Sequence, residues 1–465
     1  MALVLIARFV SEDGLMKNNN AAIDETTPLL FLAGPMFMEL LLNIFINNVD
    51  TLMLSHYSEL AVGAVGNANQ ILFLLIIMFN IIATATSVIV AQYLGAEQHS
   101  RMNVIYTLSM LVNLVFGIAL SIAVVLLKDP ILQMMHVPAE MIADADIYIN
   151  IVGGSMFLQA CYNVMLQILR CNGHAKVGMQ ISVAVNLINI VGNYVFLYGP
   201  LKFLHLGVAG AAIPTAVARA VALVASIVIF YRKKIGHIAL KYLVPFPGKM
   251  LFDMIKIGLP SAGENLSYNV YQLVLLSFIN SMGNDAVNAK VYCQSLMFFA
   301  MVFSNSAAMA TQIIVGHLVG AGKEDAAHKR AFSTLKISLP ITIALASLNC
   351  ILSPFTLRLF TANQNIIHLG FYILLVDIVI EIGRCLNMTF VSSLKAAGDY
   401  LFPLYIGLLT MWGFGVPVGY GMGVALGLGV YGVFIGTATD EFLRGLIVMR
   451  RWYKKKWLGK AVVKK

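Results

Sequence analysis

The segments TSVIVAQYLGA, Thr86 to Ala96, and TQIIVGHLVGA, Thr311 to Ala321, align without a gap at a spacing of 225 residues. The same spacing relates Pro35-Met-Phe-Met-Glu39 to Pro260-Ser-Ala-Gly-Glu264, Ala61-Val-Gly-Ala64 to Ala286-Val-Asn-Ala289, and Gly173 to Gly398. Late in each half, Leu206-Gly-Val-Ala-Gly210 matches Leu428-Gly-Val-Tyr-Gly432 at 222, and each half then closes in a basic cluster. The chain is therefore a duplication, and whatever fold one half has, the other has too.

Composition fixes what that fold is made of. Of 465 residues only 11% are charged, against about 25% in soluble proteins. Hydrophobic residues reach 59% and the mean hydropathy is +0.83. Disorder needs low hydrophobicity, and a soluble fold of this length needs far more polar surface. A spanning helix takes about 20 mostly apolar residues. Twelve such segments lie at 29–54, 62–93, 104–127, 146–170, 178–199, 207–231, 252–282, 287–319, 332–357, 366–394, 400–420 and 427–449. None alternates as a barrel strand does. The expectation is an all-α membrane protein of twelve transmembrane helices, in two homologous six-helix lobes with a central inter-lobe cavity. An even span count per lobe makes the repeats parallel, and transporters of this build place substrate between lobes and rock them.

The domain reading follows: a polar N-terminal segment at 1–28, a first lobe at 29–231, a cytosolic linker at 232–250, a second lobe at 251–450 and a basic tail at 451–465. The apolar start MALVLIARFV lacks a basic leader and a small-residue cleavage site, so it is not read as a signal peptide. The net charge of +9 would suggest nucleic acid in a soluble protein. Here the cations gather in the linker (Arg232, Lys233, Lys234, Lys241, Lys249), at Lys323, Lys329 and Arg330, and in the tail, with Lys128, Lys202 and Arg358 opposite. The positive-inside rule then puts both termini in the cytosol and the chain in the cell membrane, against anionic lipid, with no nucleic-acid partner. Five scattered cysteines make no Cys-x-x-Cys. No H-E-x-x-H and no Walker-type glycine loop is present. Zinc hydrolysis, direct ATP use and enzymatic activity in general have no support.

The motifs resemble one family. Asn48-Val-Asp50-Thr51 in the first helix resembles the V-D-T motif of multidrug and toxic compound extrusion (MATE) transporters. Ala91-Gln-Tyr-Leu-Gly95-Ala96 and Gly316-His-Leu-Val-Gly320-Ala321-Gly322 resemble its motif closing the second helix of each lobe. Leu169-Arg170-Cys-Asn-Gly173 resembles its L-R-x-x-G turn, repeated as Leu394-Lys395-Ala-Ala-Gly398. Gly207 to Thr215 resembles its start of helix six, and the second lobe is similar to a bacterial branch at Leu259 to Glu264, Lys290 to Tyr292 and Asp377 to Arg384. The resemblance runs from about residue 29 to 456. It implies secondary active export of amphipathic, often cationic, compounds, driven by H⁺ or Na⁺, with no covalently bound cofactor. Under it Asp50 is the coupling acid. The family often has Asp where this chain has Asn193, and losing that charge favours H⁺ over Na⁺.

Charge inside a bilayer costs a few kcal/mol on insertion scales and is read as functional by default. Asp50 lies about 22 Å along its helix from Pro35, in the outer half of the membrane. Asn43 and Asn47 share its face, and Asn186, Asn189 and Asn193 make a matching stripe on the fifth helix. A lone carboxylate among amides can take a proton or ligate Na⁺. The competing reading is a structural Asp held by amides, which a neutral residue would replace at lower cost. Asp50, Asn189, Asn193 and Asn47 are the expected cation-coupling set.

In the second lobe Asp377, Glu381 and Arg384 share one helix face. Glu264, Lys290, Glu381 and Arg384 are expected to form one network, either functional or a static cluster. No acid matches Asp50 there, since the equivalent residue is Leu275. Glu39 and Glu264 correspond and lie early in their helices, where a dipole role is the plain alternative. Asn43, Gln159, Asn163, Tyr268 and Tyr271 are the candidate substrate contacts. Arg444 is expected to snorkel to the interface, and Arg219, deeper, has no partner that the sequence identifies. The reading is a monomeric MATE-type antiporter of small organic compounds. The alternative is a lipid-linked oligosaccharide flippase, which needs a basic cavity for pyrophosphate. A membrane receptor or intramembrane enzyme is disfavoured by the duplication and the missing catalytic motifs.

Overall fold

The computed structural model describes residues 23–199 and 206–463, apart from the side chains at 46–48. Residues 1–22 of the polar N-terminal segment, Lys202 and the side chain of Asn47 thus lie outside the described residues. Those described form twelve long helices: α1 Leu29–Tyr57, α2 Glu59–Gly95, α3 His99–Met134, α4 Ala139–Gly153 with Met156–Cys171, α5 Ala175–Leu197, α6 Ala209–Arg232, α7 Gly248–Asn280, α8 Asn284–Gly320, α9 Glu324–Thr356, α10 Gln364–Ala396, α11 Leu401–Ala425 and α12 Val430–Tyr453. The fold is all-α, in two homologous six-helix halves.

Among the described residues nine helices are long and apolar enough to cross a membrane, and α4 is a tenth if its two parts, bent by 43°, are one span. The bend follows a wide turn at Ile149–Gly153. The two helices below that standard are α7 and α12, each long enough to span at 33 and 24 residues. They carry Glu264 and the Asp440-Glu441-x-x-Arg444 cluster.

The repeated motifs have repeated jobs. At the end of α4 the His174 N–H donates to the Leu169 carbonyl at 2.9 Å, and at the end of α10 the Asp399 N–H donates to Leu394 at 2.8 Å. Between them Gly173 and Gly398 take φ of +79° and +90°, the left-handed conformation in which a glycine closes a helix. Thr86 on α2 bonds Ser109 on α3 at 3.0 Å, and Thr311 on α8 bonds Thr334 on α9 at 2.9 Å, the same pair 225 residues on.

The chain divides into two compact units, the first holding Met38–Val90 and Gln98–Gly258, the second Ile23–Phe37, Ala91–Glu97 and the chain from Leu259. In the first, Leu72, Phe79, Ile149, Val152 and Met156 are core residues. The linker after α6 docks on α3, where His237 N–H donates to Asn103 Oδ1 at 2.8 Å. In the second, Tyr271, Leu275, Cys293, Leu357 and Met411 share one core. Close helix crossings use small residues, as in membrane bundles generally. On α10 a Cβ at Gly383 would stand 2.6 Å from the Phe442 nitrogen of α12, and one at Gly445 2.8 Å from the Gly383 carbonyl oxygen.

Candidate functional site

In the first unit, Gly192 of α5 packs so closely on Pro214 of α6 that a Cβ there would meet the proline ring at 2.6 Å. The approach sets Asn189 and Asn193 beside Thr215 and the α1 carboxylate. Asn193 Nδ2 donates to Asp50 Oδ1 at 2.9 Å. The Asn189 amide satisfies its neighbours in one orientation: its nitrogen faces both Asp50 oxygens at 2.9 Å and its oxygen faces the Thr215 hydroxyl at 3.0 Å. Two turns away, Asn43 Oδ1 accepts from Ser182 Oγ at 3.0 Å and Asn186 Nδ2 at 2.6 Å. Asn43 and Asp50 of α1 thus meet Asn186, Asn189 and Asn193 of α5 in a hydrogen-bonded seam. Asn43, expected at the substrate, is a member of that seam. Among the described residues no cation pairs with Asp50; its partners are neutral amides.

The other buried acid of this unit is treated differently. Glu39 is 3% exposed and pairs with Arg170 at 2.8 Å, joining α1 to the end of α4. An ion pair, and not the helix dipole, is its main electrostatic partner. Arg219 of α6 donates to the Val152 carbonyl at 3.3 Å and reaches Met156 Sδ at 3.1 Å. It supplies a donor to a carbonyl in the wide turn of α4, where the regular ladder is interrupted.

In the second unit the α10–α12 crossing brings together more charges than the sequence reading assembled. Arg384 pairs with Glu381 one turn before it, and its Nε lies 3.7 Å from Glu441 of α12. Asn387 donates to Glu441 at 2.8 Å. Arg444 pairs with Asp440, and its Nη1 lies 3.9 Å from Glu264. Lys395 stands 2.7 Å from Glu264, a charge contact off the hydrogen-bond line. Two expectations are corrected here. Lys290 does not join the network: it makes no ion pair among the described residues, and Lys395 holds Glu264 instead, because the end of α10 faces α7 as the end of α4 faces α1. Arg444 does not snorkel, being 3% exposed and neutralised in place. Asp377 is fully buried and neither carboxylate oxygen has a hydrogen-bond partner. An unpartnered buried carboxylate is costly, and a bound proton or cation would remove the cost.

Of the remaining substrate candidates, Gln159 donates to Asn163 at 2.8 Å and Asn163 to Asn80 of α2 at 3.4 Å, a partly exposed polar ladder. Tyr268 is part-buried, with its ring 6.2 Å from that of Tyr271. Tyr271 is fully buried and fills the space at Gly415, where a Cβ would lie 2.6 Å from its hydroxyl, so in this arrangement it is a core residue.

Sequence reasoning missed Asp440, Glu441 and Thr215, and gave Lys395 no role beyond its motif. Signals existed for Asp440 and Lys395. Asp440 and Arg444 stand at i and i+4 in a membrane helix, the spacing of an intrahelical pair. Lys395 is the 225-residue counterpart of Arg170, and Glu264 of Glu39. Thr215 had only the signal of a hydroxyl in an apolar helix.

Comparison with known proteins agrees with this architecture. The MatE family profile matches residues 35–195 and 260–421, starting twice at the spacing of the internal repeat. The chain is 38% identical over 439 residues to the "Uncharacterized transporter YisQ" of Bacillus subtilis (strain 168), covering 94% of this chain and 96% of that one. It is 25% identical over 443 residues to the "Probable multidrug resistance protein NorM" of Thermotoga maritima, covering 94% of each. A solved structure described as MATE in the bent conformation superposes with a TM-score of 0.85 at 21% identity, covering 92% of this chain and 94% of that one.

Proposed function

The chain belongs to the MatE family, and on that premise we propose that it is a secondary active exporter of amphipathic, often cationic, organic compounds, working by alternating access and driven by protons, with Na⁺ the alternative ion. It spans the cell membrane with both termini in the cytosol. The observation that carries the reading is Asp50. It is a carboxylate on α1 held by the neutral amides of Asn189 and Asn193, in the same unit where Glu39 is locked to Arg170. A fixed cation would make protonation or ion exchange at Asp50 unfavourable; amides leave it available. The ion must interact differently with two states of the protein for coupling to follow. The α1–α5 seam offers a means: protonating Asp50 removes an acceptor from the two amides and changes how α1 and α5 hold each other. The multidrug resistance name of the Thermotoga relative supports the substrate class.

The flippase alternative wants cations free for a pyrophosphate. Arg384, Lys395 and Arg444 each face carboxylates, which supports drug export over it, although Lys290 makes no ion pair among the described residues.

The test is ethidium efflux from proteoliposomes under an imposed proton or Na⁺ gradient, with wild type and Asp50→Asn. Proton-driven efflux in the wild type, lost in the variant while ethidium binding persists, is the expected result. Efflux unchanged by Asp50→Asn moves coupling to Asp377 and Glu381, and no efflux under either gradient removes the export reading.

A further inference from the structure

The last ten described residues run back along the protein and close over one end of the second unit. Trp457 is 1% exposed and stacks on Trp452 of α12, ring centroids 4.3 Å apart. Lys460 Nζ pairs with Asp399 at 2.8 Å, and Arg451, which also binds Asp399, lies over the Phe402 ring at 3.9 Å. The Lys460 carbonyl stands where a Cβ on Gly398 would be, at 2.0 Å, so the glycine closing α10 is also the floor of the tail's seat. Its homologue Gly173 has nothing within 4 Å of the same position. Beyond this the tail reaches α2. The fully buried Gln92 donates to the Ala396 carbonyl at 2.6 Å, and its oxygen accepts from Val462 N–H at 2.8 Å and Val463 N–H at 3.3 Å.

Gln92 sits where the last turns of α2 and α8 cross, backbone on backbone. A Cβ on Gly95 would lie 1.9 Å from the His317 carbonyl oxygen, and one on Gly320 1.9 Å from that of Gln92. Gln92 and His317 occupy equivalent positions of the repeat, and the tail's Val462 and Val463 amides sit on Gln92. On one side the tail is tied to α10 and α12; on the other it is tied to α2.

We propose that residues 454–463 are a latch: with their amides on Gln92 they hold the end of α2 to the ends of α10 and α12, and the protein opens at this end only when the tail leaves Gln92. This rests on the alternating-access reading above, under which this end is cytosolic and must open once per cycle. The latch biases the protein toward the arrangement described here, and its loss shifts the resting population toward the open one. One net hydrogen bond corresponds to about a five-fold shift in such an equilibrium.

The test links tail to helix. In Gln92→Cys with Val462→Cys, a disulfide or short bis-thiosulfonate bridge replaces the releasable contact; the five native cysteines are all buried. Gradient-driven ethidium efflux is measured before linking, after it, and after dithiothreitol. The expected result is loss on linking and recovery on reduction. Efflux unchanged by the link overturns the latch. Wild type without efflux instead counts against the exporter reading, and a second measurement then decides the latch by itself. Ala396→Cys, buried under the Gln92 contact, is labelled with a maleimide in the full chain and in a chain ending at Gly459. Labelling about five-fold faster without the tail is expected, and equal rates overturn the proposal.

Discussion

Glu39 has one cationic partner among the described residues, Arg170, whereas Glu264, its counterpart in the repeat, has Lys395 at 2.7 Å and Arg444 at 3.9 Å. Between these anchors the halves part company. The first has a single carboxylate, Asp50, in a seam of amides. The second has Leu275 at that position, packed in its core, and gathers its acids on α10 and α12 instead, where Arg384 pairs with Glu381 and Arg444 with Asp440. Duplication preserved what ties the helix ends together, namely the acid–base pair, the glycine turn and the hydroxyl pair. It left the middle of the helices free to differ. In the first half Asp50 has amides and, among the described residues, no cation for partners; in the second Glu264, Glu381, Asp440 and Glu441 each have a cation within reach and Asp377 has no hydrogen-bond partner.

The anchors give the largest expected effects. Arg170→Ala leaves Glu39 buried without its cation and destabilises the protein by about 3–5 kcal/mol, read from thermal unfolding in detergent. Lys395→Ala costs less, about half, because Arg444 remains near Glu264. Equal losses would break the contrast between a single and a shared anchor. Combining Glu39→Gln with Arg170→Gln restores most of the first loss, since no charge is then left unpaired.

The helix-closing glycines sharpen the same comparison at smaller size. Gly173→Ala meets open space and pays only for its left-handed backbone, about 1–2 kcal/mol. Gly398→Ala adds a clash with the Lys460 carbonyl, so it loses more stability and also frees the tail, seen as faster proteolysis after Lys454. Smallest are Thr86→Val and Thr311→Val, each removing one interhelical hydroxyl bond at about 1 kcal/mol. The two should match within error if the repeat is as faithful there as the geometry indicates.

How far this was legible in the sequence depends on the kind of interaction. The duplication and the helix count come from periodicities that survive burial, and the Asp50 and asparagine stripes show because one helix face is a local property. Pairing between helices is not local. Lys290 and Lys395 are both lysines at helix ends, and only the fold shows that Lys395 reaches Glu264; the repeat held the clue in Arg170 and Glu39. Tyr271 looked like an aromatic ligand because a buried tyrosine and a cavity tyrosine have the same sequence signature. Arg444, taken alone, reads as an interfacial cation; its partner Asp440 stands one turn before it.

The central claim is that charge exchange occurs at Asp50, and proton release measures it directly. Purified protein in weakly buffered detergent with a pH-indicator dye is mixed with ethidium. Wild type is predicted to release a proton on binding, Lys395→Arg to release it equally, and Asp50→Asn to bind ethidium without release. Release undiminished in Asp50→Asn would contradict the account and transfer the exchanging group to the second half.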